Sequence, residues 1–259
     1  MPTWLRQRLL DGDRVVGTFV QTPHPAVCEV LGSLGWDAVC LDCEHSAIGL
    51  GEVESLVRAA DVSGVACLAR VSAANSTEIA RALDAGAAGV IVPCVNTALE
   101  AAAAVSAARF PPAGARGVGP GRAAGYGGDI PRYVEDARLE TLVAVQVETR
   151  SSLESLDAIL GVDGVDLIFV GPADLGLSLG LERGATELRE QIEDVLDRAR
   201  RAGRLTGIFC TGSEDPLASL AADVDLVLVG SDLLFLSEAA AVARARFGAN
   251  DTSVRGARE

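Results

Sequence analysis

Lysine is absent from this chain of 259 residues, and all 22 of its basic residues are arginine. Enzymes that form a carbanion beside a ketone commonly use either a lysine Schiff base or a divalent metal ion. The chain itself therefore offers no Schiff-base lysine and no lysine to hold pyridoxal phosphate covalently. If the protein is such an enzyme, it must use a metal ion.

Aromatic residues and net positive charge are also scarce. Aromatic residues make up 4% of the chain, so the core has to be built from Val, Leu, Ile and Ala. The formal net charge of -14 argues against nucleic acid as a partner, because proteins that bind the phosphate backbone usually present a basic surface. The same charge disfavours an anionic membrane surface. Local arginines can still bind a small anionic substrate.

Long apolar segments are missing as well. Residues 1–6 contain no apolar targeting segment, and no uninterrupted apolar run reaches the roughly 20 residues that span a bilayer. Several of the six cysteines lie in or beside apolar runs, which indicates buried thiols in a reducing compartment, and we expect a cytoplasmic location. Cys40 and Cys43 form a C-x-x-C pattern, but residues three apart on a strand face opposite sides, so we predict no zinc site there.

Eight short apolar runs alternate with helical patterns along the chain. Most of the runs are nearly continuous in Val, Ile and Leu, which is typical of parallel strands buried on both faces. The predicted strands are Val15–Val20, Ala38–Asp42, Ala66–Val71, Gly89–Pro93, Leu142–Glu148, Leu167–Gly171, Leu205–Cys210 and Leu226–Gly230. The predicted helices cover about 25–34, 51–62, 75–85, 97–109, 150–160, 185–202, 214–222 and 232–247.

This alternation predicts an α/β fold, a single (β/α)₈ TIM barrel over residues 1–247. A doubly wound open sheet is the alternative, but the segment Gln21–Pro25 after the first strand is not the Gly-rich phosphate turn that usually marks it. Residues 110–131 form a long Gly-rich connection, which we expect to fold over the barrel mouth. Residues 248–259 are polar and lack periodicity, so we expect a disordered tail.

Polar side chains follow several predicted strands at the end where such barrels place catalytic groups. They are Asp42, Glu44, His45, Arg70, Gln146, Glu148 and Asp174. Gln146 and Glu148 are two residues apart and share one face of a strand. Singly, Asp174 could cap a helix, His45 could be a hydrogen-bonded structural residue and Arg70 could pair with a carboxylate. Together, on four strands at one end of one barrel, these residues favour an active site.

The types of candidate ligand then limit which metal ion the site could bind. The two histidines of the chain, His24 and His45, are far apart in sequence, which disfavours a His-rich zinc site. Glu148 and Asp174 are oxygen donors that suit octahedral Mg²⁺, Mn²⁺ or Co²⁺, with substrate and water completing the shell. A 2-oxoacid such as pyruvate could supply its carboxylate and keto oxygens. Arg70 could then bind the remaining carboxylate charge with its planar fork.

Six segments resemble the HpcH/HpaI family of metal-dependent (class II) pyruvate aldolases, of the 4-hydroxy-2-oxoheptanedioate and 2-dehydro-3-deoxyglucarate aldolase types. They are Gly17–Gln21, Leu41–His45, Ala80–Ala87, Phe110–Gly119, Val145–Thr149 and Phe169–Leu175. The last three segments are specific in combination, and the resemblance covers about residues 5–247. The segment Leu175–Glu187 departs from the family because it lacks a common Gly-His-Pro stretch.

The resemblance implies a lyase that reversibly cleaves a 4-hydroxy-2-oxoacid to pyruvate, or a close 2-oxoacid, and an aldehyde. It implies that Glu148 and Asp174 hold the metal and that Arg70 binds the pyruvyl carboxylate and polarises the keto oxygen. Backbone amides at Gly171 and Ala173 would help to hold the carboxylate. A related condensing enzyme, citrate-synthase-like or malyl-CoA-lyase-like, and a non-catalytic 2-oxoacid-binding barrel are the alternatives.

Further roles follow from the same resemblance. His45 would act in proton transfer with its neighbour Asp42, and Gln146 would lie beside the metal. Asp84 and Arg122 match positions near a mouth where subunits meet. The family assembles as hexamers, trimers of dimers, whose last helix is exchanged between partners. The final predicted helix here, 232–247, is apolar on more than one stripe, so we expect it to pack partly against another subunit.

Overall fold

Eight parallel strands close into a barrel in sequence order, with the last strand paired to the first. The computed structural model describes residues 4–248. The strands are β1 (Val15–Val20), β2 (Ala38–Asp42), β3 (Ala66–Arg70), β4 (Gly89–Val92), β5 (Leu142–Val147), β6 (Leu167–Val170), β7 (Leu205–Cys210) and β8 (Leu226–Ser231). The predicted TIM barrel is confirmed, and every strand end lies within one residue of its predicted position.

Eleven α-helices surround the barrel within the described residues. They are α1 (Trp4–Leu10), α2 (Pro25–Ser33), α3 (Leu50–Val62), α4 (Ser76–Asp84), α5 (Ala98–Ala108), α6 (Ile130–Glu140), α7 (Arg150–Glu154), α8 (Leu156–Leu160), α9 (Pro172–Leu179), α10 (Thr186–Arg201) and α11 (Asp232–Gly248). Short 3₁₀ turns cover Gly125–Gly127 and Ala218–Asp223. The second turn replaces the helix predicted over 214–222, and the helix predicted over 150–160 is divided at Ser155.

Side chains from both faces of the strands are buried, which explains the continuous apolar runs. One cluster fills the barrel interior, where Leu5 and Leu9 of α1 close the end at which the strands begin. A second cluster lies outside the sheet and includes Val90 and Val143 beneath the helices. Interior and exterior positions alternate along each strand because successive side chains point to opposite faces.

The cysteines follow the same alternation. Cys40 belongs to the interior cluster, whereas Cys43 packs against the outer layer between the sheet, α2 and α3. The prediction that the two sulfurs diverge is therefore confirmed. All six cysteines are free thiols, and Cys94 is the exposed one among them. None of the helices between residues 4 and 248 has the length and apolar character needed to cross a bilayer.

The Gly-rich connection lies at the end of the barrel opposite to its mouth. Arg122 donates to the carbonyl of Ala85, at 2.9 Å, and pairs with Asp61, so it contacts the C-terminal ends of α4 and α3. The prediction that this connection folds over the mouth is wrong. Each outer helix returns the chain to the end where the strands begin, and the connection between α5 and β5 stays there.

Helix α11 is anchored only near its start. Its first residue, Asp232, accepts hydrogen bonds from the backbone N–H groups of Gln21 and Thr22, at 2.8 and 3.0 Å. Beyond Phe235, every side chain through Phe247 is exposed. Phe247 itself, a large apolar residue, is 82% exposed in the single chain. Apart from Gly248, the predicted tail 248–259 lies outside the described residues.

Candidate active site

A cavity of about 190 Å³ opens at the ends of the strands where the polar residues were predicted to gather. Seven of the predicted site residues line it, namely Asp42, His45, Arg70, Gln146, Gly171, Ala173 and Asp174. Three phenylalanines, Phe19, Phe169 and Phe209, form its apolar floor. The volume suits a small ligand of a few heavy atoms, held by polar groups above an apolar base.

An ion pair between Arg70 and Asp42 stands at the centre of the mouth. The two residues are register partners at the ends of β3 and β2. Asp42 Oδ1 lies 2.8 Å from Arg70 Nη2 and 3.1 Å from Nε, and Glu44 Oε2 lies 3.3 Å from Nε. The guanidinium also lies 4.4 Å from the centre of the Phe19 ring. These contacts fix the guanidinium through Nε and Nη2 and leave Nη1 outside the two ion pairs. Two of the three nitrogens that were predicted to bind a substrate carboxylate therefore already contact Asp42 or Glu44.

Asp42 is fully buried, and its oxygens are well supplied with donors. Gln21 Nε2 donates to Oδ2 at 3.0 Å, and the backbone N–H of His45 donates to Oδ1 at 3.0 Å. Burial by itself raises the pKa of Asp42, but the positive charge of Arg70 and these hydrogen bonds outweigh it, so the pKa is lowered. Asp42 therefore stays ionised and orients Arg70 and the loop that follows β2.

His45 faces Glu44 rather than Asp42. Its Nε2 lies 3.6 Å from Glu44 Oε2, and its side chain is 57% exposed. The resemblance couples His45 with Asp42, but the structure joins them through the backbone of His45. Burial raises the pKa of Glu44, and the opposing effects of Arg70 and His45 do not cancel that rise. The imidazole is thus free to reach a ligand while one carboxylate stands beside it.

Glu148 follows β5 and is held on both sides. Its Oε1 accepts a hydrogen bond from the backbone N–H of Cys94 at 2.6 Å, and its Oε2 accepts one from Gln146 Nε2. A Cβ atom at Gly171 would lie 2.7 Å from both Gln146 Nε2 and Glu148 Oε2. Only glycine leaves room there, which explains the glycine that follows β6.

Asp174 lies in the first turn of α9, on the rim of the same cavity. A carboxylate is favourable near a helix N-terminus. The N-cap position, however, is occupied by Gly171, and no side chain caps this helix. Asp174 therefore does not cap this helix. Its carboxylate is exposed and available to a ligand.

The oxygen atoms around Glu148 fit a divalent cation. Gln146 Oε1 is buried and has no hydrogen-bond partner, and Glu44 Oε2 is buried without a hydrogen-bond donor. Ligand atoms of Glu44, Cys94 and Glu148 all lie within 4.8 Å of one another. Buried polar atoms without partners are costly, and a cation satisfies acceptors that lack donors. Asp174, in the helix that follows β6, does not belong to this group of three.

Asp84 and Arg122 are remote from the mouth of their own barrel. Arg116 Nη2 pairs with Asp84 Oδ1 at 2.6 Å near the C-terminal end of α4, where the strands begin. A larger cavity of about 460 Å³, lined by Arg116 and Tyr133, lies at that same end and contains none of the mouth residues. If Asp84 and Arg122 serve an active site, it has to be that of a neighbouring subunit.

Gln21, Cys94 and the three phenylalanines of the cavity floor were not predicted from the sequence as site residues. Gln21 follows β1 and Cys94 follows β4, so the rule used for the other strand ends would have found both. Phe209 was not accessible to that rule, because it lies on β7 and only the closed barrel brings its ring to 5.7 Å from Phe19.

Comparison with known proteins identifies the family and the class of enzyme. The HpcH/HpaI aldolase/citrate lyase family model matches residues 15–239. A hydroxypyruvate/pyruvate aldolase of Rhizorhabdus wittichii is 36% identical over 235 residues, covering 89% of this chain and 92% of that protein. A 4-hydroxy-2-oxovalerate aldolase of Rhodococcus jostii is 36% identical over 248 residues, covering 93% and 95%.

Solved structures agree. A HpcH/HpaI aldolase/citrate lyase family protein from Burkholderia cenocepacia superposes with a TM-score of 0.88 at 32% identity, over 95% of this chain and 99% of that chain. The citrate synthase SbnG has a TM-score of 0.83 at 27% identity, over 95% and 99%. The curated relatives are aldolases, which are lyases, and the barrel places carboxylates and an arginine around a small cavity, so the chain is an enzyme of the lyase class. The chain belongs to the HpcH/HpaI aldolase/citrate lyase family.

Proposed function

We propose that the protein is a class II aldolase that reversibly cleaves a 4-hydroxy-2-oxoacid to pyruvate, or a close 2-oxoacid, and an aldehyde. The observation that carries the proposal is the arrangement of Arg70 and Asp174 around one small cavity, with Glu148 in contact with Gln146 of that cavity, in a chain without lysine. The named activities of the relatives support the same reaction class.

Glu148 and Asp174 would hold the divalent ion, and their oxygen atoms suit Mg²⁺, Mn²⁺ or Co²⁺. When bound, the ion would supply Lewis-acid stabilisation of the negative charge that develops on the keto oxygen. Gln146 would lie beside it, with its unpartnered Oε1 as a further acceptor. Neither pyridoxal phosphate nor a Schiff base takes part in the proposed chemistry.

Arg70 would bind the 2-oxoacid. Its Nη1 is the donor left outside the pairs with Asp42 and Glu44, and the residue lines the cavity. A charge-assisted hydrogen bond from this nitrogen would hold the substrate carboxylate or keto oxygen. The backbone N–H of Ala173, at the start of α9, would contribute further positive potential to the same ligand, whereas the predicted N–H of Gly171 already donates to the carbonyl of Val147 at 3.3 Å.

His45 would move the proton. In the cleavage direction the 4-hydroxyl proton leaves, the C3–C4 bond breaks, and its electron pair forms the enolate of pyruvate while the aldehyde departs. The enolate then takes a proton at C3. The exposed imidazole of His45, with Glu44 at 3.6 Å to stabilise its charged form, is placed to accept and return these protons. The phenylalanine floor would limit access of water to the enolate.

Assembly forms part of the proposal. The apolar surface of α11 and the remote position of Asp84 and Arg122 support a homohexamer, a trimer of dimers, in which neighbours share a mouth. Deletion of residues 232–259 should then give inactive smaller species or aggregates. Light scattering that found a fully active monomer of the intact chain would remove this part of the proposal.

A second candidate function is a condensing enzyme that uses the same enolate, because the citrate synthase SbnG shares the fold over nearly the whole chain. The deciding experiment is a panel of pyruvate and hydroxypyruvate with small aldehydes, run beside oxaloacetate and acyl-CoA assays. Carbon–carbon bond formation with an aldehyde supports the aldolase. A condensation product formed from oxaloacetate or an acyl-CoA, and none from aldehydes, would replace it.

A further inference from the structure

The two carboxylate oxygens of Glu148 face different neighbours. Oε2 lies on the side of Gly171, where an added Cβ would approach it to 2.7 Å, and Gly171 connects β6 to α9, which carries Asp174 in its first turn. Oε1 faces β4, because it accepts the backbone N–H of Cys94 at 2.6 Å. The carboxylate of Glu148 therefore offers two positions for a ligand, one on the β6 side and a second on the β4 side.

Cys94 occupies the second position. It is the exposed cysteine of the chain, and it has a φ of 53°, a left-handed conformation that non-glycine residues rarely adopt. Asn96 Nδ2 donates to the carbonyl of Cys94 at 2.9 Å and so supports this backbone. The Cys94 thiol and carboxylate oxygens of Glu44 and Glu148 lie within 4.8 Å of one another.

Unpartnered polar atoms beside Glu148 point to a ligand. Gln146 is 2% exposed, and its Oε1 has no hydrogen-bond partner although its amide nitrogen contacts Glu148. Glu44 Oε2 also has no hydrogen-bond donor, and its nearest cations are Arg70 at 3.3 Å and His45 at 3.6 Å. Acceptors therefore exceed donors around Glu148, and of the two unpartnered acceptors Glu44 is the one grouped with the thiol.

A sulfur ligand changes which ions the position prefers. Carboxylates alone suit Mg²⁺ or Mn²⁺, whereas a thiolate favours Zn²⁺ and other thiophilic ions. Two carboxylates and one thiolate, with one position open to water, match the three protein ligands of many zinc sites. We propose that Glu44, Cys94 and Glu148 form a second metal site on the β4 side of Glu148, which binds Zn²⁺ or Cd²⁺ and thereby inhibits the enzyme.

Inhibition follows from the shared ligands. An ion in this site would draw Glu44 away from Arg70 and His45 and would compete for the charge of Glu148. The inhibitory part of the proposal rests on the proposed aldolase function. The binding part does not, because the ligand set exists whatever the substrate is.

The test uses the full-length protein after chelation and dialysis, with Cd²⁺ alone as the probe. Titration should produce the ultraviolet thiolate-to-cadmium charge-transfer absorption with one ion per chain. Cys94→Ser should abolish this band, and Glu44→Gln should weaken Cd²⁺ binding at least tenfold, since even supporting residues of metal sites are worth about 10–100-fold. Cys43→Ser, which removes the neighbouring half-buried thiol, is the matched control and should keep the band. Asp174→Asn should keep it too.

Inhibition is measured separately, as the Zn²⁺ concentration that halves the activity of each variant relative to its own uninhibited rate. This concentration should rise at least tenfold in Cys94→Ser, in line with the loss of a direct ligand. No charge-transfer band in the intact protein, or a band that survives in Cys94→Ser, would overturn the site. A band that depends on Cys94 in a protein without aldolase activity would leave the site standing and reject the proposed function.

Discussion

Replacing Arg70 by alanine separates its roles in stability and in substrate binding. The change leaves the fully buried carboxylate of Asp42 without its cation, although Gln21 and the backbone N–H of His45 still donate to it. Removing one partner of a buried ion pair costs about 3–5 kcal/mol. Because these donors remain, we expect a loss of unfolding free energy near the lower end of that range, measured by urea unfolding.

The effect on catalysis should be larger than the stability loss explains. A charge-assisted hydrogen bond to a substrate carboxylate contributes about 1.5–3 kcal/mol. That range corresponds to a fall of roughly 10- to 150-fold in kcat/KM for the 2-oxoacid. Both kcat and KM should suffer, since Arg70 would act on the bound substrate and on the developing charge. Arg70→Lys should recover only part of the loss, because an ammonium group lacks the planar fork.

Arg109→Ala is the matched control. Arg109 pairs with Asp166 at 2.5 Å, with both side chains 8% exposed, at the opposite end of the barrel. It should lose comparable stability yet keep wild-type kinetic constants, within about twofold, under conditions where the protein is folded. Near-normal kinetics in Arg70→Ala, or an equal kinetic loss in Arg109→Ala, would show that Arg70 is only structural.

Three further predictions follow from the same geometry. Glu148→Gln and Asp174→Asn should lose the catalytic ion in equilibrium dialysis, whereas His45→Ala should retain it; retention by both carboxylate variants would reject the proposed ligands. His45→Ala should slow aldol cleavage by about 10²–10⁴ and oxaloacetate decarboxylation less, because only cleavage needs a proton from the 4-hydroxyl; equal losses would contradict that role. Burial raises the pKa of Asp215, but hydrogen bonds from Arg183 and backbone amides outweigh it and the pKa is lowered. The contribution of ionised Asp215 to the free energy of unfolding should therefore be complete above the pKa of about 3.9 that an aspartate has in the unfolded chain. It should decline as the pH falls through the lower pKa of Asp215 in the folded protein. The stability gap between wild type and Asp215→Asn should then narrow in acid, and a gap that widens would refute the assignment.

The barrel could be predicted from sequence because parallel strands buried on both faces leave short apolar runs, such as Leu167–Val170, that few other structures share. The helices were less accessible. Helix α6 was missed because its start adjoins the Gly-rich connection, although Asp129 caps it and Pro131 lies in its first turn. Helix α1 has seven residues, and its two interior leucines are recognisable as core only once the barrel is closed.

The sequence predicted which residues form the site, but it did not predict which of them contact one another. Because barrels of this kind place functional residues at the C-terminal ends of their strands, Asp42, Arg70 and Asp174 were expected to lie together, and they line one cavity. The position of a residue at a strand end could not indicate that His45 faces Glu44, because that depends on how the loop after β2 folds. The remote position of Asp84 and Arg122 was also beyond the sequence, since a resemblance to an assembled family does not say which barrel a residue serves.

The most direct test of the account is the exchange of pyruvate C3 hydrogens for deuterium, because it reports formation of the enolate without any aldehyde. The protein is freed of metal, incubated with pyruvate in D₂O with or without Mg²⁺, Mn²⁺ or Co²⁺, and the pyruvate is analysed by mass spectrometry. If the enolate forms on a bound metal ion, exchange should occur only with a divalent ion, chelation should abolish it, and borohydride added with pyruvate should leave no covalent adduct. Full exchange in a verified metal-free sample would contradict formation of the enolate on a bound metal ion.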